Sequence, residues 1–215
     1  MRCLAARPDV EGVSLSARSS HFQLRLDEHL ADTHVKAVLV CTDNASHFEI
    51  AKQALTAGKH VLVEFPLTHS ADQAQTLLAL AKRFERILHV EYIGLMAAAH
   101  RAFHALDTQN WARVLVTLEG GYYRWVETEC EAGHFGSLMN GRLQALHHLL
   151  GPLDLVSAHA NRRVDGYRAS VCLKSRGGVH VELVDTRGVD MARVRKMEVF
   201  DACGNLIVPT IEQGR

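Results

Sequence analysis

Between His21 and Tyr92, short β-branched runs alternate with helical periods, an order that predicts an α/β arrangement. Val35–Cys41 (V-K-A-V-L-V-C) is nearly continuous in apolar character, the pattern of a strand buried on both faces of a parallel sheet. Ala45–Ala57 repeats apolar residues at Phe48, Ala51, Ala54 and Leu55, which predicts a helix that Gly58 stops. His60–Glu64 (H-V-L-V-E) predicts the next strand, ended by Pro66. A second helix is expected to open at Ser70 as N-cap, with Asp72 in its first turn and Ala74, Leu77, Leu78 and Ala81 on one face. Ile87–Glu91 (I-L-H-V-E) supplies a third strand. Three strands joined by two helices predict half of a doubly wound parallel sheet, with ligands held at the carboxyl ends of its strands.

The character changes after a helix expected at roughly Gly94–Leu106. Alternating runs at Val114–Glu119, Leu155–His159, Tyr167–Leu173, Val179–Val184 and Lys196–Phe200 predict strands exposed on one face. Ala202-Cys203-Gly204-Asn205 predicts a hairpin turn leading into Leu206–Val208. One helix, Leu138–Leu150, interrupts the strands and ends at Gly151-Pro152. The expected organisation is therefore a Rossmann-like unit over 1–95, followed by a mostly antiparallel sheet domain over 96–215.

Composition narrows the function classes. The 215 residues are 47% hydrophobic and 22% charged, which excludes disordered and low-complexity classes. Lys+Arg and Asp+Glu both number 24, so no basic excess points to nucleic acid. No uncharged apolar run approaches the roughly 18 residues of a membrane span, and Met1–Ala6 lacks a leader's apolar core, so a cytoplasmic location is expected. The five cysteines are scattered and never form a C-x-x-C pair, so neither a disulfide framework nor a zinc site is expected. His147 and His148 sit about 100° apart on their helix with no third ligand nearby in sequence, which argues against a metal there.

The stretch V-K-A-V-L-V-C-T-D-N-A-S-H, followed by A-G-K-H-V-L-V-E-F-P-L, resembles the Gfo/Idh/MocA oxidoreductases, with their Thr-x-Asn-x-x-His turn and Glu-Lys-Pro tripeptide. Within that family, V-L-V-E-F-P-L-T-H-S-A-D-Q-A-Q-T-L, I-L-H-V-E-Y-I-G-L-M and the segment Gly141–Ala158 are similar to the biliverdin reductases. Residues 21–95 carry the closer likeness and 112–208 a looser one. The resemblance implies a Rossmann domain for NADPH, with NADH as the other option, and a sheet domain covering the nicotinamide. The implied substrate is a linear tetrapyrrole, reduced at the central methine of biliverdin to give bilirubin. The implied alternatives are a sugar-type oxidoreductase and a non-catalytic scaffold. An oligomer formed through the sheet domain is a further expectation.

Individual residues then acquire candidate roles. Cys41, Thr42, Asp43, Asn44 and His47 lie at a strand's carboxyl end and open the next helix, where backbone N–H groups can hold phosphate or ribose. A plain helix cap fits the same turn. Glu64-Phe65-Pro66 departs from the sugar dehydrogenases, whose central Lys moves protons at the substrate hydroxyl; Phe65 does no acid–base chemistry. The biliverdin reductases usually carry Tyr there, so Phe65 keeps the ring without the hydroxyl and fits a nicotinamide wall or core packing equally. Glu64, Glu91 and Tyr92 end neighbouring strands where the family lines its nicotinamide pocket. Gly141–Gln144 (G-R-L-Q) stands where the sugar dehydrogenases place a His-x-x-Asp pair, and Arg142 matches an arginine of the biliverdin reductases. A guanidinium there can bind a propionate or, through water, supply the pyrrole proton. Arg18 and Ser19 follow Val13–Ser16, which resembles the second Rossmann strand, and suit a 2′-phosphate as well as they suit an ordinary basic loop.

No Gly-x-Gly-x-x-Gly turn is present. The chain opens within what resembles the family's first helix, Arg2–Arg7, so the first strand and its pyrophosphate loop are expected to be missing. That expectation predicts weak NADPH binding, which a low-micromolar dissociation constant would contradict. The spacing around Ser20 and His21 also predicts no helix between the second and third Rossmann strands.

Overall fold

The computed structural model describes residues 11–12, 20–131 and 139–209. The chain divides into two compact units, Met1–Glu91 and Tyr92–Arg215. The expected helix at Arg2–Arg7, the strand at Val13–Ser16, and Arg18 and Ser19 lie outside the described residues.

The first unit runs α1 (Phe22–Ala31), β1 (Ala37–Val40), α2 (Asn44–Thr56), β2 (His60–Glu64), α3 (Ala71–Arg83) and β3 (Leu88–Glu91). Its sheet is parallel in the order β1-β2-β3, with Val40 opposite Val63 and Glu64 opposite Glu91. The core joins Val40, Val61 and Val63 of the strands to Ile50, Ala54, Leu55 and Leu77 of the helices. Leu55 and Leu77 are fully buried, each worth about 1.5–3 kcal/mol relative to exposure. Gly58 leaves α2 at φ +73°, a conformation costly to any residue with a Cβ.

Two expectations for this unit are corrected. Phe22–Ala31 is a helix where none was expected. Phe22, Leu24 and Leu26 alternate as in a strand, but burial falls on Leu26 and Leu30, four residues apart, and Leu24 faces solvent. Ser70 is the N-cap of α3 as expected, although its side chain makes no capping bond. Leu78 is 57% exposed, and Leu80 packs on the core instead.

The second unit runs α4 (Ile93–Met96), α5 (Ala98–His104), a short 3-10 turn at Thr108–Asn110, β4 (Arg113–Gly121), α6 (Arg124–Glu131), α7 (Asn140–Leu150), β5 (Leu153–Arg163), β6 (Gly166–Ser175), β7 (His180–Gly188), β8 (Val194–Phe200) and β9 (Leu206–Ile207). The six strands are ordered β5-β6-β7-β4-β8-β9, antiparallel except for the central parallel pair β4–β7. Among the described residues, a Rossmann-like parallel sheet and a mostly antiparallel sheet are thus both present. The stripe Ala145, Leu146 and Leu149 of α7 is buried, and Leu146 and Leu149 share one apolar cluster with Val114, Val116, Leu118, Val181, Leu183 and Val199 of the sheet. The single helix expected at Gly94–Leu106 is two, because Ala97 takes extended backbone angles between α4 and α5. α6 was not expected: Val126 and Cys130 are its buried apolar pair, set among acidic residues.

Candidate active site

At the carboxyl ends of the parallel strands, chain topology gathers most of the candidate residues of the first unit. Glu64 and Glu91 are direct register partners at the ends of β2 and β3, and both are half-buried. Cys41 follows β1 beside them, and burial together with the charges of Glu64 and Glu91 pushes its thiol above the ordinary range. Thr42 and Asp43 form the turn into α2. The Ser46 hydroxyl donates to Thr42 Oγ1 at 2.7 Å, and the Asp43 side chain makes no capping bond. The Asp43 side chain therefore claims none of the first backbone N–H groups of α2, the Asp43 carbonyl accepts that of Ser46 at 3.0 Å, and Asn44 stands at the head of the helix.

His47 differs from its neighbours. It is fully buried, with Nδ1 2.8 Å from the Pro66 carbonyl and Nε2 3.2 Å from the Thr42 carbonyl. Its ring faces inward and ties the turn after β1 to the turn after β2, so it positions both. Pro66 is buried and Phe65 half-buried in that second turn.

Cys41 offers a direct check. Although exposed, it should alkylate with iodoacetamide more slowly at pH 8 than an unstructured cysteine peptide, because the raised value leaves less thiolate. The difference should close as pH rises well above the usual thiol range. Peptide mass spectrometry of timed aliquots reads both.

In the second unit, Arg142 sits in the first turn of α7, one turn before Leu146 on the same buried stripe, and is half-buried. Burial lowers its guanidinium below the usual arginine value. Tyr92 precedes α4, and burial raises its hydroxyl. His148 pairs with His100 of α5, the ring nitrogens Nδ1 and Nε2 lying 3.0 Å apart. Burial, then His148, His104 and Arg142, lower His100 below the ordinary histidine value.

Sequence reasoning missed one group. Asp185 is fully buried on β7, accepting from the Tyr167 hydroxyl and from Arg187 Nε, the latter at 2.6 Å. Burial raises the Asp185 carboxyl despite both donors, and burial with the Asp185 charge raises Tyr167. A signal was present in V-E-L-V-D-T-R-G: the alternation that turns Val181 and Leu183 inward also turns Asp185 and Arg187 inward.

Known proteins share the fold described above. Residues 4–92 match the Gfo/Idh/MocA model, an oxidoreductase family with an NAD-binding Rossmann fold. Over 189 residues the chain is 32% identical to mouse biliverdin reductase A, covering 86% of this chain and 62% of that one. Among solved structures, the biliverdin reductase of Synechocystis sp. PCC 6803, in complex with biliverdin and NADP+, superposes with a TM-score of 0.67 at 21% identity, covering 87% of this chain and 69% of that one. An inositol dehydrogenase homolog from Azotobacter vinelandii, complexed with NADH and myo-inositol, superposes with a TM-score of 0.71 at 19% identity, covering 94% and 63%. Those two likenesses establish the fold. Over residues 4–92 this chain is therefore similar to the Gfo/Idh/MocA oxidoreductases. It spans 62% of the length of the mouse and human biliverdin reductase A proteins. Among the described residues, no helix is long and apolar enough to cross a membrane.

Proposed function

We propose that this chain acts as an NADPH-dependent reductase that converts biliverdin to bilirubin. The observation that carries the reading is Arg142, half-buried in the first turn of α7 where a sugar dehydrogenase of the family needs a His-x-x-Asp pair. Phe65 supports it, because a ring replaces the lysine that sugar oxidation requires.

The first unit's residues suit the ribose and nicotinamide end of the cofactor. Glu64 and Glu91 offer carboxylate acceptors to hydroxyl and amide groups, and the head of α2 offers backbone donors. When bound, NADPH supplies the hydride that adds to the central methine carbon. The second requirement is a proton at a pyrrole nitrogen. Arg142 stays protonated, so it binds the substrate and orients a water that delivers that proton.

The test is incubation with biliverdin and excess NADPH, followed by absorbance. Bilirubin is the expected product. Absence of bilirubin together with turnover of a polyol would replace this reading with a sugar-type oxidoreductase.

A further inference from the structure

The helix-facing side of the six-stranded sheet changes chemistry along its length. Register places Val114, Val116, Leu118 and Gly120 of β4 in line with Val181, Leu183, Asp185 and Arg187 of β7. On the other flank, Val199, Met197 and Arg195 of β8 stand opposite Val114, Val116 and Leu118. The rows through Val114 and Val116 are apolar. The row through Leu118 carries Arg195 on one side and Asp185 on the other, and the row through Gly120 carries Arg187 and then Tyr167.

The single carboxylate in these two rows is already used. Asp185 gives one oxygen to Tyr167 and the other to Arg187 Nε. Arg187 is thereby fixed, with its guanidinium laid across Gly120: a Cβ there would meet Nη1 at 2.7 Å. Arg195 has no ion-pair partner among the described residues, nor does Arg142, one turn before Leu146 on the stripe that packs on this face. Desolvation lowers Arg195, and the like charges of Arg193, Arg142 and Arg187 lower it further. Arg195 is nonetheless exposed and open to a ligand.

Unbalanced cations on a partly dry face attract an anion, and paired guanidinium forks match oxyanions in shape. We propose that Arg195 and Arg142 together grip two carboxylates of one ligand, with Arg187 held by Asp185 and Tyr167 as a fixed third cation. The proposal rests on the reductase reading above and deepens it: the substrate is selected as an organic dianion, and Arg195 is a specificity-determining residue.

The test compares wild type, Arg195→Gln and a control, Arg83→Gln, on an exposed position of α3. Binding of biliverdin and of its dimethyl ester is measured by absorbance titration. Wild type and control should bind the diacid at least roughly tenfold more tightly than the ester, and Arg195→Gln should lose most of that preference. Equal binding of acid and ester by wild type, or a preference unchanged in Arg195→Gln, overturns the proposal. If neither tetrapyrrole binds, the reductase reading fails by itself, and a second measurement decides the anion site. Inorganic phosphate at fixed ionic strength should raise the melting temperature of wild type and control more than that of Arg195→Gln. No phosphate-specific shift in wild type, or the same shift in all three proteins, overturns it.

Discussion

Replacing Asp185 with alanine should cost the second unit about 3–5 kcal/mol, the largest loss of stability expected from any one side chain described above. The carboxylate is fully buried and serves both Tyr167 and Arg187, whose side chain is itself only 13% exposed. Its removal takes a partner from a buried hydroxyl and from a nearly buried guanidinium, and losing a partner at a buried polar group is costly. Chemical denaturation followed by circular dichroism measures the loss. A double variant, Asp185→Leu with Arg187→Met, should recover most of it, since deleting a buried pair is far cheaper than breaking one. The deficit should also depend on pH. Burial raises the Asp185 carboxyl in the fold, so the folded chain holds this proton more tightly than the unfolded chain. The carboxyl therefore stabilises most below its unfolded value, and that contribution fades as pH climbs through the raised folded one. The gap between wild type and Asp185→Ala should narrow over the same interval. A loss below about 1 kcal/mol would mean that Tyr167 and Arg187 find other partners.

The parts of the fold legible in the sequence share one property: their burial follows their own local period. His60–Glu64 reads as a strand and is one, because Val61 and Val63 bury while their neighbours do not. Leu146 and Leu149 mark the buried stripe of α7 for the same reason. α1 lies where the spacing around Ser20 and His21 predicts no helix; its apolar residues also satisfy a period of two, and only packing decides that Leu24 faces water. α6 was passed over because its buried apolar residues, Val126 and Cys130, are too few to outweigh the acidic residues between them. The candidate residues at the strand ends are legible for a topological reason, since strands of a parallel sheet deliver their carboxyl ends to one edge. That rule located Cys41, Glu64 and Glu91 together but could not show that His47 turns inward to the Thr42 and Pro66 carbonyls. The Asp185 network needed still more. Arg195 and Asp185 become neighbours only once β4 lies between β8 and β7, and no local pattern states which strands pair.

Arg142→Ala should lower biliverdin turnover by roughly 100-fold or more while leaving the affinity for NADPH unchanged. The expectation joins two features of the structure. α7 presents Arg142 on the stripe it buries against the sheet, and burial lowers the guanidinium without giving it an ion-pair partner among the described residues. An arginine so placed keeps its hydrogen-bonding capacity for something outside the chain. In the proposed reaction, removing it withdraws both a contact to substrate and the donor that orients the proton-delivering water, so kcat should fall along with kcat/KM. Arg142→Lys separates the two contributions. Lysine keeps the charge but lacks the planar fork, so it should restore much of the binding and little of the turnover. Steady-state kinetics with biliverdin, beside a fluorescence titration of NADPH, distinguishes the outcomes. Turnover unaffected in Arg142→Ala would remove this residue from the chemistry and leave it a cation of the sheet face alone.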